Sequence, residues 1–180
     1  EMQRSLVGSE MCIRDSLYTT GPYPLSYNGW GDVLVIVFFG FVPVGGTYYV
    51  QALTWTPDVT IASLICGLLI DTLLVVNNYR DREADARSGK RTVIVRFGEK
   101  FGRYFYLMLG ITASLLCLCF LREGHFYAAF LPQLYLIPHF LTWKRMVKIY
   151  SGKKLNSILG ETSRNMLLMG ILIAIGMLIN

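Results

Sequence analysis

The chain has 180 residues, of which 53% are hydrophobic and only 16% charged, and its mean hydropathy is +0.45. A soluble domain carries about 25% charged residues; here the charges are bunched between long apolar runs, which excludes an ordinary water-soluble globule and describes an all-α, polytopic transmembrane helical bundle. The net charge of +5 is gathered in two loops, which points to membrane orientation and anionic ligands and away from nucleic acid.

Residues 1–16, EMQRSLVGSEMCIRDS, hold no apolar core long enough for a signal peptide. They read unlike everything after them and are expected to be a foreign leader, with residues 17–180 as one coherent unit. The loop Tyr18 to Asp32, YTTGPYPLSYNGWGD, sets Tyr18, Tyr23, Tyr27 and Trp30 among glycines and prolines. An interfacial aromatic belt with turn residues accounts for it; so does an ordered loop capping a cavity for an aromatic or prenyl substrate.

Candidate spans follow at about 33–51, 59–77, 104–121, 126–143 and 165–179. The first contains Pro43 and Gly45–Gly46, a kink or close-packing signal that neighbouring helices can also simply tolerate. The fourth contains Pro132 and Pro138. Cys66, Cys117 and Cys119 lie within apolar runs as small hydrophobes, and no metal or disulfide spacing is present. His125 and His139 are isolated, so packing is their expected role. Glu161, Ser163, Arg164 and Asn165 precede the last span and read first as an N-terminal capping cluster. Asp71 lies inside the second span, facing either the bundle cavity or a cation from another helix.

The second span opens into NNYRDREADARSGKRT, Asn77 to Thr92. Ionisable groups at a membrane boundary are expensive and mark functional sites by default. If the helix continues past Val76, Asn77, Asp81 and Asp85 lie at i, i+4 and i+8 on one face. Carboxylates four apart repel each other, and a hard cation removes the repulsion. Magnesium takes one or two carboxylates together with substrate phosphates. Asp81 and Asp85, with Asn77, are therefore the candidate metal ligands. Asn78 could add an amide oxygen or donate to phosphate. Lys90 and Arg91 follow the turn residue Gly89 and could grip the remaining anionic oxygens. A bare DxxxD is common on solvated helix faces; its setting against an apolar span, between Asn-Asn and GKRT, argues for the metal site.

Loop charges set the orientation. Residues 78–103 contain eight Lys or Arg and residues 144–164 six, against one in 122–125 and none in 52–58. The positive-inside rule then places both rich loops on the cytoplasmic side of the cell membrane, with the 18–32 loop beside them by alternation.

The pattern Asn77-Asn78-Tyr79-Arg80-Asp81, Asp85, Gly89-Lys90-Arg91-Thr92 and Val95-Arg96-Phe97-Gly98 resembles the second aspartate-rich motif of the UbiA-type intramembrane prenyltransferases. Together with the 18–32 loop and Phe38-Phe39-Gly40, it is most similar to the branch that acts on 1,4-dihydroxy-2-naphthoate in menaquinone synthesis. The resemblance covers Leu17 to the C-terminus. It implies a nine-helix bundle with two aspartate-rich motifs facing each other across a cavity. This chain would supply the C-terminal half only, without the first motif, and be inactive alone. It further implies a polyprenyl diphosphate donor, an aromatic acceptor, Mg2+ and release of diphosphate and CO2. Asp81 and Asp85 would bind metal and Asn77 and Asn78 support metal or diphosphate. Lys90 and Arg91 would grip diphosphate, with Arg80 and Arg96 as second choices and Tyr18 and Tyr23 on the acceptor side. The prenyl tail would leave between helices into lipid.

Three rivals remain. A CDP-alcohol phosphotransferase needs an Asp-Gly and a second DxxxD in one run, which ADARSGKRT does not supply. A transporter using Asp71 predicts inverted repeats, and none is visible. Sister prenyltransferases for 4-hydroxybenzoate, homogentisate or haem share the metal motif.

Overall fold

The computed structural model describes residues 29–179, and among these every regular element is helical, as the composition requires. Among the described residues four helices are long and apolar enough to cross a membrane: α1 Gly31–Ala52, α2 Pro57–Arg87, α3 Val93–Glu123 and α5 Lys153–Ile179. Between the last two lies α4, residues 126–149. Large apolar side chains such as Phe38, Phe39, Leu115, Leu167, Ile171 and Leu178 point outward. A surface of that kind is stable against lipid, where each helix satisfies its own backbone.

Pro43 lies within a stretch of α1, Ile36–Gly46, that winds as a π-helix. Proline offers no N–H and crowds the carbonyl four residues back, and a wider turn lets the helix continue. The glycines serve close packing. A Cβ on Gly40 would collide with the Ser63 carbonyl oxygen of α2, and one on Gly67 would sit 2.8 Å from Ile36 Cα. Small residues at such a crossing replace the hydrophobic drive that lipid does not supply.

Thr56 caps α2, its hydroxyl accepting from Val59 N at 3.4 Å, with Pro57 in the first turn. The helix does not stop where the apolar run stops but continues through the aspartates to Arg87. Likewise α3 begins at Val93, bends at Gly98 (φ 86°, ψ 172°) and tightens into 3-10 turns over Cys117–Glu123.

The expected fourth span is not one continuous helix. It is an α-turn Phe126–Phe130, a 3-10 segment Leu131–Tyr135 and a helix Leu136–Ile149. Pro132 removes a helical donor, and Gln133 compensates by donating its amide to the carbonyls of Ala129 at 2.9 Å and Ser114 at 2.8 Å.

The last helix also starts early, at Asn156 after a short 3-10 turn. Glu161, Ser163, Arg164 and Asn165 are thus interior to α5, and the capping role expected for them does not hold. Glu161 and Asn165 instead join α5 to α4. Glu161 accepts from Arg145 at 2.8 Å and Thr142 at 3.3 Å, and Asn165 donates to Thr142 at 2.9 Å. Tyr106 of α3 meets Thr162 at 3.0 Å in the same seam. His139 packs as expected, stacked between Tyr106 and Tyr135 with ring centroids 4.7 and 5.0 Å away.

Two apolar cores fill the bundle. One, around Val75, Val76, Tyr79, Ile94, Tyr106 and Met146, lies directly beneath the aspartate-bearing end of α2; the other gathers Ile65, Leu69, Phe120, Tyr135 and Met169 further along.

Candidate active site

Because α2 is unbroken past Val76, Asn77, Asp81 and Asp85 fall on successive turns of one face. The helix then ends in a Schellman turn. Gly89 N donates to Ala86 O at 3.3 Å and Lys90 N to Asp85 O at 2.9 Å, with Gly89 at φ 78°. This reversal carries Lys90 back over the helix end, and its Nζ lies 3.7 Å from Asp85 Oδ2. The glycine in the GKRT motif therefore has a local reason: it is the left-handed residue that aims the lysine at the aspartate. Thr92 then caps α3 by accepting from Val95 N at 3.3 Å.

The motif loop rests on the described end of the 18–32 loop. A Cβ on Gly29 would lie 3.2 Å from the Arg91 carbonyl oxygen and 3.6 Å from the Arg96 guanidinium. Gly29, Gly31, Asp32, Leu74, Asn78, Lys90 and Thr92 line a small cleft there. The two asparagines part company. Asn78 is buried and faces this cleft, whereas Asn77 is exposed and faces Arg80 and Asp81. Arg91 and Arg96 are exposed. Tyr18 and Tyr23 lie outside the described residues.

Asp81 is held by Arg80 in a bidentate pair, Nε to Oδ1 at 2.8 Å and Nη2 to Oδ2 at 2.6 Å. Asp85 is more enclosed, and its buried Oδ2 finds no hydrogen bond among the described residues, the Lys90 ammonium standing just beyond that range.

Several residues that sequence reasoning did not select belong to this end of the bundle. Asp32 and Thr92 line the cleft. Asn156 of α5 accepts from Arg80 Nη1 at 2.9 Å. Tyr150 centres a γ-turn (φ 66°, ψ −52°) in which Ser151 N donates to Ile149 O at 2.8 Å. That conformation is strained for a non-glycine residue. The Tyr150 ring lies 5.0 Å from the Arg82 guanidinium and 5.2 Å from that of Arg103. Glu99 pairs with both arginines, at 3.8 and 3.3 Å, and raises the Tyr150 phenol above its ordinary pKa by hydrogen bonding. These contacts bring both cation-rich connections, between α2 and α3 and between α4 and α5, to the same end of the molecule.

Asp71 is fully buried. Among the described residues no N–H donates to its oxygens, and the Asp32 carboxyl lies beside them. Its spacing offered a signal: Asp71 and Asn78 lie seven residues apart, on one side of the helix.

The donor set fits a magnesium–diphosphate group rather than an all-protein metal cage. Among the described residues no three His, Cys, Asp or Glu side chains converge. What the helix offers is a pair of carboxylates four residues apart, Asp81 paired with Arg80 and Asp85 beside Lys90 with an oxygen that finds no hydrogen bond among the described residues. Magnesium is typically held by one or two carboxylates and completed by phosphate oxygens and water.

Fold and site together define a class: a multi-pass helical membrane protein whose boundary carries oxygen ligands and cations suited to an anionic ligand. The chain matches the UbiA prenyltransferase family over residues 11–177 and belongs to it. It is 36% identical over 166 residues to a 1,4-dihydroxy-2-naphthoate octaprenyltransferase of Haemophilus influenzae, covering 90% of this chain and 53% of that protein. Proteins of the same name from Escherichia coli and Mycobacterium leprae are 40% and 38% identical over 113 and 111 residues, covering 63% and 62% of this chain and 36% and 38% of theirs. The chain thus spans about half the length, or less, of the relatives it matches. No solved structure gives a significant match.

Proposed function

We propose that the complete protein transfers a polyprenyl group from polyprenyl diphosphate to 1,4-dihydroxy-2-naphthoate, forming demethylmenaquinone and releasing diphosphate and CO2. The observation that carries this reading is the unbroken α2, which sets Asn77, Asp81 and Asp85 on one face at the membrane boundary with Lys90 turned back over them. The names of the relatives support the acceptor.

In this reading Asp81, Asp85 and Asn77 would hold Mg2+, which when bound would supply charge neutralisation for the diphosphate leaving group. Lys90 and Arg91 bind the diphosphate oxygens, with Arg80 and Arg96 in reserve, and fixed cations stabilise charge as it develops there. Asn78 supports the same group from the cleft side. The buried walls beneath the site keep water from the allylic carbon while its C–O bond breaks and the electron-rich ring attacks. Tyr18 and Tyr23 belong to the acceptor side. Residues 17–180 form part of the C-terminal half of the domain, and this half alone is inactive. Both cation-rich connections lie on the cytoplasmic side, and the prenyl tail lies in lipid.

The test is product formation. Membranes containing the full-length protein should form demethylmenaquinone when given Mg2+, the naphthoate and a polyprenyl diphosphate. Turnover of 4-hydroxybenzoate with none of the naphthoate would overturn the acceptor assignment.

A further inference from the structure

Oxygens assigned above to a divalent cation are engaged by a residue of the same helix. Both Asp81 oxygens accept from the Arg80 fork, at 2.8 and 2.6 Å, and Asn77 Oδ1 accepts from Nη2 at 2.6 Å. Adjacent residues on a helix do not normally face each other, so this pairing needs an outside anchor. Asn156, at the start of α5, supplies it by accepting from Nη1 at 2.9 Å. The guanidinium is thereby fixed over the Asn77–Asp81 face by three side chains from two helices. A divalent cation approaching Asp81 must take its oxygens from Arg80 and works against a positive charge already in contact with them.

We propose that Arg80, anchored by Asn156, is an intramolecular counter-cation that competes with the divalent metal for Asn77 and Asp81. The competition makes metal and anionic substrate cooperative. A diphosphate draws the guanidinium off the carboxylate and frees it for the metal, and by linkage each ligand improves the site for the other. The inference rests on the reading of Asn77 and Asp81 as metal ligands.

The test is Mn2+ binding to the full-length protein in lipid nanodiscs, followed by the electron paramagnetic resonance of free and bound Mn2+ without substrate. Arg80→Gln should bind Mn2+ about three- to tenfold more tightly than wild type, the range set by a partly exposed ion pair. Its prenyl transfer should nonetheless fall. Asn156→Ala should shift affinity in the same direction by less, and Arg80→Lys, which keeps the charge but loses the fork, should stay closer to wild type. Arg80 is partly exposed and Asn156 exposed, so these variants should fold. Mn2+ affinity in Arg80→Gln equal to or weaker than wild type would overturn the inference, because Arg80 would then orient Asp81 rather than compete for it. No Mn2+ binding by either protein, with or without inorganic diphosphate, would overturn the metal-site reading itself along with it.

Discussion

Gly89→Ala isolates the turn that joins the acidic helix to its lysine. Gly89 stands at φ 78°, and a Cβ there would meet nothing within 4 Å. Space costs nothing, so the penalty is purely conformational, about 1–2 kcal/mol for an L-residue in the left-handed region. Asparagine visits that region more readily, so Gly89→Asn should cost less. The alanine variant can escape strain only by undoing the turn, which draws Lys90 away from Asp85. Thermal unfolding in nanodiscs should rank glycine above asparagine above alanine. Prenyl transfer should follow the same order, with alanine slower by on the order of tenfold, the equivalent of about 1.4 kcal/mol. An alanine variant equal to wild type in both measurements would refute the reasoning that the turn aims the lysine.

Other expectations follow from particular contacts. Gly40→Ala places a methyl against the Ser63 carbonyl oxygen and should force α1 and α2 apart, costing about 1–3 kcal/mol in chemical unfolding. Tyr106→Phe removes the partner of buried Thr162 and should cost about 1–2 kcal/mol by the same assay, with little effect on turnover. Single cysteines at Ser88 and Ser151, in an otherwise cysteine-free protein, should both label from the cytoplasmic side. Labelling of the two from opposite sides would contradict the topology.

What was legible in the sequence was whatever rests on local pattern. Apolar runs gave the helical class, and the four-residue spacing gave the Asn77–Asp81–Asp85 face. Hydropathy misplaced the helix ends because it reads only what lipid touches. Helix α2 carries its polar end past Val76, and α5 begins at Asn156 well before the apolar run. The break at Pro132 was written in the proline but repaired by Gln133, a contact no periodicity reveals. The site's partners were less legible. Asn156 reaches Arg80 across 76 positions of chain, and Tyr150 meets Arg82 and Arg103 only when α2, α3 and the α4–α5 connection close together. Local spacing could suggest that Asn77 and Asn78 act together; the helix sends them to different faces.

Asp81 and Asp85 are the residues proposed to hold the metal–diphosphate group. The most direct measurement is prenyl transfer by full-length Asp81→Asn and Asp85→Asn at saturating Mg2+, with Arg87→Gln as an exposed control on the same helix end. A metal clamp supplies several kcal/mol of transition-state stabilisation, so loss of one ligand should slow each aspartate variant by about 100-fold or more while the protein remains inserted and the control stays active. Full activity of both aspartate variants would contradict the account, since a merely solvated carboxylate is worth under about 1 kcal/mol.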